Sequence, residues 1–301
     1  MRKLRISLMI FMSAGFVLGG CKASTGQEIK NEESITEILS ESPAGSEQEA
    51  ISQQTEEMTK EPEQVSEQVI KIINPGVDYY IDSSVKATEF SKMLSLELVE
   101  KEHNKITDTK NWLIDNGLSL EQFPYSDDTY TYETKGDNNY ETYLLTLSKL
   151  ESGEKVTLDF SEFQYGEIYR EEDYDFIKQR INFAKVQDGI LYVATSHNTY
   201  AESSPQNAYL TAIDLSDYHV IWKTEPLTCN SYSFVIREKV IICGYGFTSE
   251  KDYLKLVDCE TGLIINETPI NSMAEYLILK DDKLFVRTYD TNYIFKLTGN
   301  E

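Results

Sequence analysis

Short apolar runs alternate with polar and turn residues over the second half of the chain. One set of runs follows turn-like residues: Ile190–Ala194, Lys239–Cys243 and Lys283–Arg287. A second set occurs later in each unit: Tyr209–Ile213, Tyr253–Val257 and Asn292–Lys296. Such runs are rich in Val, Ile, Tyr and Phe, so the pattern predicts strands and a mainly β body.

The strands recur at a nearly constant spacing. Leu210, Leu254 and Ile294 hold the same place in successive units and are 44 and 40 residues apart. In the earlier units a tight turn is followed by a fourth run, as in "VIWKTE" after Tyr218 and "LIINET" after Gly262. A period of about 40–45 residues with four short strands per unit is typical of a β-propeller.

One family resemblance follows from the turns. The quinoprotein-like (PQQ-like) repeat reads Ala-x-Asp-x-x-Thr-Gly-x-x-x-Trp, and parts of it occur here as Ala212, Asp214, Trp222, Asp258, Thr261 and Gly262. The resemblance to this family covers about residues 125–301. The resemblance implies a small or incomplete quinoprotein-like β-propeller of about four blade-like repeats. Within the wider quinoprotein-like set, the envelope lipoproteins that act as scaffolds are the better comparison for this chain.

The resemblance does not extend to a quinone cofactor. The chain has only Trp112 and Trp222, and too few repeats for the larger cofactor-binding ring. We therefore expect Trp222 to pack between blades. Asp214 and Asp258 are expected to bond turn backbone, as Asx side chains do.

A different pattern precedes the repeats. Asp82 begins a stretch to His103 in which Phe90, Met93, Leu94 and Leu98 fall near one helical face. A second helical segment is expected around Asn111–Asp115, ending near Gly117. Together they predict a helical N-terminal module at about 82–120.

The last repeat reaches its turn at Thr298-Gly299 without a fourth run. Because an open edge favours aggregation, we expect an N-terminal strand to complete this blade. The candidate is Val69–Ile73, paired with Asn292–Lys296. The alternatives are that this run packs on the helical module, or that the edge stays open.

The first residues predict export. Arg2, Lys3 and Arg5 precede an apolar run from Ile6 to Leu18, which is shorter than a bilayer span. Leu18-Gly19-Gly20-Cys21 resembles the lipobox of bacterial lipoproteins, which implies that Cys21 is lipidated and becomes the mature N-terminus. An ordinary cleaved signal with a chance cysteine is the alternative.

Residues 22–70 contain twelve Glu against three Lys, with no aromatic residue and no Asp. This composition predicts a disordered, self-repelling tether, followed by a folded body at 71–301. The whole chain carries a net charge of −23, which argues against a nucleic-acid partner.

No catalytic, cofactor-binding or metal site is predicted. His197 lies near serines, but the chain has no GxSxG turn, and His103 and His219 are expected at the surface. The acidic stretches 126–141 and 169–176 lack the spacing of a calcium loop. Cys229, Cys243 and Cys259 are expected to be buried and free, with a single disulfide as the alternative.

These observations predict a lipid-anchored protein on the outer side of the cell membrane, with a Gram-positive envelope favoured. Its predicted function is non-catalytic, as a scaffold or binding module for another envelope protein. The alternative is a lipoprotein that binds a solute, peptide or glycan, and an enzyme comes third. Because propeller folds support all three, the repeats alone do not choose.

Overall fold

The structure, a computed structural model, describes residues 68–76, 86–87, 94–104, 109–138, 141–166, 171–197, 207–247 and 250–299. The predicted signal with Cys21, nearly all of the predicted tether and most of the first half of the predicted helix lie outside the described residues. Within these ranges, no helix has both the length and the apolar character needed to cross a membrane.

The regular elements of the described chain are almost all strands. They are β1 (Gln68–Lys71), β2 (Ser95–His103), β3 (Tyr125–Ser126), β4 (Tyr130–Gly136), β5 (Thr142–Lys149), β6 (Lys155–Asp159), β7 (Arg180–Gln187), β8 (Ile190–Ser196), β9 (Tyr209–Asp214), β10 (Val220–Lys223), β11 (Val235–Arg237), β12 (Val240–Tyr245), β13 (Asp252–Asp258), β14 (Ile264–Ile270), β15 (Ala274–Lys280), β16 (Lys283–Thr288) and β17 (Thr291–Thr298). The helix α1 spans Thr109–Asn116, and 3-10 turns occupy Ser161–Phe163 and Glu171–Asp173.

These strands form four sheets, which we call blades 1 to 4. Blade 1 has the order β1-β6-β5-β4-β3, blade 2 is β7 to β10, blade 3 is β11 to β14, and blade 4 has the order β15-β16-β17-β2. All neighbouring strands are antiparallel except β1 and β6, which run parallel. The mainly β prediction and the four repeats are therefore confirmed.

The tight turn before the fourth strand is the same in three blades. The amides of Gly153, Tyr218 and Gly262 donate to the carbonyls of Lys149, Asp214 and Asp258, at 2.8, 2.7 and 2.8 Å. All three donors have positive φ, of 72°, 64° and 71°. This conformation suits glycine because it has no Cβ, which explains the glycine in two of the turns.

Blade 4 is completed by an N-terminal strand, but not by the predicted one. β1 pairs with β6, with Val69 opposite Thr157, so the predicted pairing of Val69–Ile73 with Asn292–Lys296 is wrong. The strand beside β17 is β2, where Ser95 lies opposite Thr298. Their hydroxyl oxygens are 2.7 Å apart although the residues are 203 positions apart in sequence.

The predicted helix from Asp82 is also wrong in its described part, because 95–103 is strand β2. Leu94, Leu96 and Leu98 alternate with polar residues, and Leu94 and Leu96 pack against the core of blades 3 and 4. Most other residues of β2 are exposed, since the strand lies at the outer edge of its sheet. Pairing with β17 therefore decides the conformation of a stretch whose glutamates also suit a helix.

The second helical segment is confirmed, as α1 ends just before Gly117, which has a φ of 59°. Trp112 is buried on α1, with the Arg287 guanidinium carbon 5.9 Å from its ring centroid. The Arg287 Nε also donates to the Thr109 hydroxyl at 3.0 Å. In the described part of the predicted helical module, α1 is thus the one helix, and it packs against blade 4.

Candidate functional site

Residues of all four blades, or of the segments that lead into them, line one cavity of about 330 Å³, which we call the axial cavity. Its aromatic wall consists of Phe123, Tyr232 and Tyr276. Its polar wall consists of Arg180 with Gln122, Thr134, Thr142 and Asn182. A cavity shared by four sheets is the arrangement expected at the centre of a small propeller.

The two tyrosines lie side by side at the wall. The ring centroids of Tyr232 and Tyr276 are 5.8 Å apart, and the Arg180 guanidinium carbon is 6.0 Å from the Tyr232 centroid. Burial, and then the charge of Glu275, raise the pKa of Tyr276. The phenol therefore stays neutral near pH 7 and offers a flat face together with a hydroxyl.

Neighbouring strands fix the polar groups. The Arg180 Nε donates to the Asn182 side-chain oxygen at 3.3 Å, and the Asn182 amide nitrogen lies 2.5 Å from the Ser196 hydroxyl. The Thr142 hydroxyl donates to the Ile181 carbonyl at 3.2 Å and so joins blade 1 to blade 2. The donors and acceptors around the cavity are thus held by β5, β7 and β8.

The lining offers several kinds of non-covalent contact. The described lining residues include no carboxylate, imidazole or thiol. They offer aromatic stacking, one cation and several neutral hydrogen-bonding groups. Such a set can orient a bound group through stacking and hydrogen bonds.

Sequence reasoning missed this site, although a signal was present. Tyr232 and Tyr276 are 44 residues apart, which is the spacing between Leu210 and Leu254. Tyr232 precedes β11 and Tyr276 lies on β15, so both belong to the start of a blade. Tyrosines recurring at the repeat period predict an aromatic surface near the axis, because the first strand of each blade is innermost.

Three residues that the sequence singled out have the predicted roles, one in packing and two in turns. Trp222 is buried, its indole donates to the Cys259 carbonyl at 3.0 Å, and its ring lies 5.8 Å from that of Tyr192. The Asp214 carboxylate accepts from the Ser216 amide at 2.8 Å. The Asp258 carboxylate accepts from the amides of Glu260 and Thr261, each at 2.9 Å.

The described contacts around His197 hold the backbone of its loop. His197 is buried, and its backbone amide and carbonyl are both bonded to the Asn207 side chain, at 2.7 and 3.0 Å. Ser196 bonds Asn182, while Ser203 and Ser204 lie outside the described residues.

One cluster of possible metal ligands occurs in the described chain. Side-chain atoms of Asp214, Asp217 and His219 lie within 4.8 Å of one another in the turn before β10. The His219 ring nitrogen is 2.5 Å from Asp217, whose pKa is lowered by that bond. Both carboxylates also accept backbone amides of the turn, so the cluster has a structural role.

The acidic stretches also serve turns. Asp127 accepts from the amides of Thr129 and Tyr130, both at 2.8 Å, and from the Tyr132 hydroxyl at 2.6 Å. These bonds shape the hairpin between β3 and β4. Glu171–Asp173 forms a 3-10 turn. The described parts of both stretches agree with solvated turns.

The three cysteines of the body are buried, as predicted. Cys229 and Cys243 lie within hydrogen-bonding reach of one another, and the Cys243 Sγ is 3.5 Å from the Thr228 carbonyl. Burial raises the pKa of Cys259 to about 12. All three thiols are thus held in or beside blade 3, away from the axial cavity.

Comparison with known proteins gives a likeness of fold only. No protein-family model and no curated protein matches the sequence. Among solved structures, the computationally designed Ika4 protein is 11% identical with a TM-score of 0.35, covering 61% of this chain and 96% of its own. BamB from Moraxella catarrhalis is 11% identical with a TM-score of 0.32, covering 59% and 57%.

A europium-containing methanol dehydrogenase is 12% identical with a TM-score of 0.30, covering 50% of this chain and 24% of its own. The dehydrogenase and BamB are both PQQ-like β-propellers. The chain thus spans about a quarter of the length of the dehydrogenase and just over half that of BamB. Fold likeness at this level assigns no activity.

Proposed function

We propose that the protein is a lipid-anchored, non-catalytic binding module of the cell envelope, and that the axial cavity holds a segment of another envelope protein. The observation that carries the proposal is the make-up of the cavity wall. Tyr232, Tyr276 and Arg180 are of the residue types that dominate binding energy at protein interfaces. The neutral amides around them can bond a peptide backbone.

Anchoring rests on the lipobox-like sequence before Cys21. Covalent acyl chains stabilise membrane attachment by roughly 0.8 kcal/mol per buried methylene, so loss of the cysteine removes the anchor. Labelled palmitate is expected to enter the wild-type protein, and Cys21→Ser is expected to lose both the label and membrane retention. Label that persists in the variant would disprove lipidation at this residue.

The binding site is tested in the same cells with a photo-crosslinking amino acid. Placed at Tyr276, it is expected to give a discrete product with an envelope protein. Placed at Tyr289, which is 57% exposed outside the cavity, it serves as the matched control. In the protein that carries the crosslinking amino acid at position 276, Arg180→Ala should reduce the amount of crosslinked product. Equal amounts of product from positions 276 and 289 would disprove a specific axial site.

The cavity volume favours a second candidate, a small solute or glycan. About 330 Å³ lies at the lower end of the range for small-molecule pockets, and aromatic rings stack on sugars as well as on peptide side chains. Saturable binding of a peptidoglycan fragment that Tyr232→Ala abolishes, with no crosslinked protein, would favour this function instead.

A further inference from the structure

A second cavity of about 300 Å³, which we call the inner-edge cavity, lies between the first strands of blades 3 and 4. Its apolar wall comes from β11 and β15 and consists of Val235, Ile236, Leu277, Ile278 and Leu279. It shares none of its described lining residues with the axial cavity. The two cavities are therefore separate sites along the same inner strands.

The strands that line this cavity have a neighbouring strand on one side only. Among the described strands, β11 pairs with β12 and β15 pairs with β16, so the other edge of each faces away from its own sheet. Along an antiparallel strand, the backbone groups of alternate residues point to alternate sides. Every second residue of β11 and β15 therefore directs its amide and carbonyl away from the sheet, where another group must bond them.

Protein groups bond the beginning of the open edge of β15. The Tyr232 amide donates to the Glu275 carbonyl at 2.8 Å. The Ser233 hydroxyl accepts from the Leu277 amide at 2.8 Å and donates to the Leu277 carbonyl at 3.1 Å. Leu279 is the next residue whose backbone groups face this side, and the cavity begins there. The protein thus covers the edge up to the cavity and leaves it open within the cavity.

Three blades can be compared at this position. Val186, Ile236 and Leu279 each lie two residues before the first residue of the turn that leaves the first strand. In blade 2 the Val186 amide donates to the Tyr132 hydroxyl of blade 1 at 3.0 Å. In blades 3 and 4, no described group outside the sheet bonds the backbone of Ile236 or Leu279. The cavity therefore lies where two equivalent backbone edges lack the partner that blade 2 has.

The charges of the cavity wall cancel. Glu121 and Lys185 are the charged residues of the described lining, and the carboxylate oxygen lies 2.7 Å from the ammonium nitrogen. A charged occupant would lose hydration without gaining an unpaired opposite charge on this wall. Charge complementarity therefore favours an uncharged occupant.

We propose that the inner-edge cavity binds a short, uncharged peptide in an extended conformation. The backbone of the peptide bonds the amide and carbonyl groups of Ile236 and Leu279, as an added strand does at the edge of a sheet. Its apolar side chains pack against Val235 and Leu277. A volume of about 300 Å³ restricts this peptide to a few residues. The site goes beyond the function proposed for the axial cavity, which takes no part in it.

Amide-resolved NMR titration of the folded protein tests this with a blocked dipeptide, acetyl-valyl-valine amide. The matched control is the same dipeptide with methylated amide nitrogens, which keeps the side chains but loses the backbone donors. The blocked dipeptide should bind saturably and shift the amide signals of Ile236 and Leu279. It should bind about threefold to tenfold more tightly than the control, because the control loses backbone hydrogen bonds.

Two results of this titration would overturn the proposal. Absence of saturable binding would show that water alone satisfies the open edges. Equal binding of the methylated dipeptide would show that no backbone pairing occurs. Both results are obtained with the wild-type protein, so they do not depend on the folding of a variant.

A first variant removes the donor of the edge. Leu279→Pro eliminates one amide in the cavity, and proline is accepted in an edge strand when its nitrogen faces away from the sheet. It should weaken binding of the blocked dipeptide by about threefold to tenfold, because one backbone hydrogen bond is lost. Unchanged binding in the folded variant would contradict pairing at this edge.

A second variant tests the charge balance of the wall. Glu121→Gln leaves the Lys185 ammonium without its ion-pair partner and should raise the affinity for acetyl-valyl-valine with a free carboxylate. Its matched control is Glu260→Gln, which breaks the exposed ion pair with Lys239 outside the cavity and should leave that affinity unchanged. Equal effects of the two variants would contradict binding in this cavity. Crosslinking at position 276 tests the axial cavity independently, so failure of one site is distinguishable from failure of the other.

Discussion

Blades 3 and 4 have the same three-stranded meander but obtain their fourth strand differently. In blade 3, β14 follows β13 after one tight turn, so the whole sheet is local in sequence. In blade 4, the place of β14 is taken by β2. Most of the folded body lies between β2 and the other three strands of this blade in the sequence. The difference shows that turn signals determine the local blade, while the last blade depends on a strand that no local turn connects.

The cost of such a distant pairing is small. The entropy of closing a loop grows only with the logarithm of its length, by about 0.6 kcal/mol for each doubling. β2 covers the edge of β17 along Thr291–Thr298, which would otherwise present unpaired backbone groups. The distant strand therefore stabilises blade 4 in the same way that β14 stabilises blade 3.

The largest effect is expected from removing the distant strand. Truncation up to His103 deletes β2 and should lower the free energy of unfolding by more than about 4 kcal/mol, or abolish the cooperative transition. Truncation up to Gly76 removes the outer edge strand β1 and the buried Ile72 but keeps β2, and should cost less. Denaturant unfolding compares the two, and equal losses would show that β2 is no more important than β1.

A smaller effect is expected where the two blades touch. A Cβ on Gly244 of β12 would lie 2.6 Å from the Cβ of Ala274 on β15. Gly244→Val should therefore overpack the contact and destabilise the body by about 1–3 kcal/mol. Lys283→Val adds a branched side chain at an exposed position and should change thermal stability little. If the two variants melt alike, blades 3 and 4 do not pack as described.

The junction of blade 3 with blade 2 is expected to depend on one carbonyl. Trp222 and Tyr192 both donate to the Cys259 carbonyl, at 3.0 and 3.4 Å. Trp222→Phe should cost about 1–3 kcal/mol through the lost bond and packing, and Tyr192→Phe should cost less because its bond is longer. Thermal unfolding of both variants measures which one loses more stability. A larger loss for Tyr192→Phe than for Trp222→Phe would contradict the described junction.

The smallest effect is expected from reductant. Blade 3 and the segment leading into it hold Cys229, Cys243 and Cys259, whereas blade 4 has no cysteine. We expect the melting temperature to be the same with and without dithiothreitol, because the buried thiols act as small apolar groups. A loss of about 2–5 kcal/mol on reduction would instead reveal a disulfide.

The sequence predicted the local parts of this fold well. β8, β9, β16 and β17 lie where the alternating runs predicted strands, and the turns at Tyr218 and Gly262 follow from repeated short-range signals. The turn roles of Asp214 and Asp258 were equally accessible, since an Asx side chain bonds backbone two or three residues away. These features depend on neighbours within one unit.

The errors concern pairing over long distances. Val69 was correctly placed in a strand but given the wrong partner, because its sequence contains no register signal. Leu94 and Leu98 fit both a helix and a strand by spacing, and only the pairing with β17 decides between them. Likewise the axial cavity combines residues from separate blades, so composition within one repeat does not reveal it.

The central claim is that β2 closes blade 4, and paired cysteines test it most directly. Glu97 and Lys296 lie opposite each other in the register of β2 with β17, while Lys71 and Asp159 are partners in β1 and β6. Mild oxidation of the folded protein, followed by peptide mapping, should give an efficient disulfide in the variant Glu97→Cys with Lys296→Cys. Lys71→Cys with Lys296→Cys should give none. Efficient bridging of position 71 to position 296, without bridging of 97 to 296, would contradict the closure by β2.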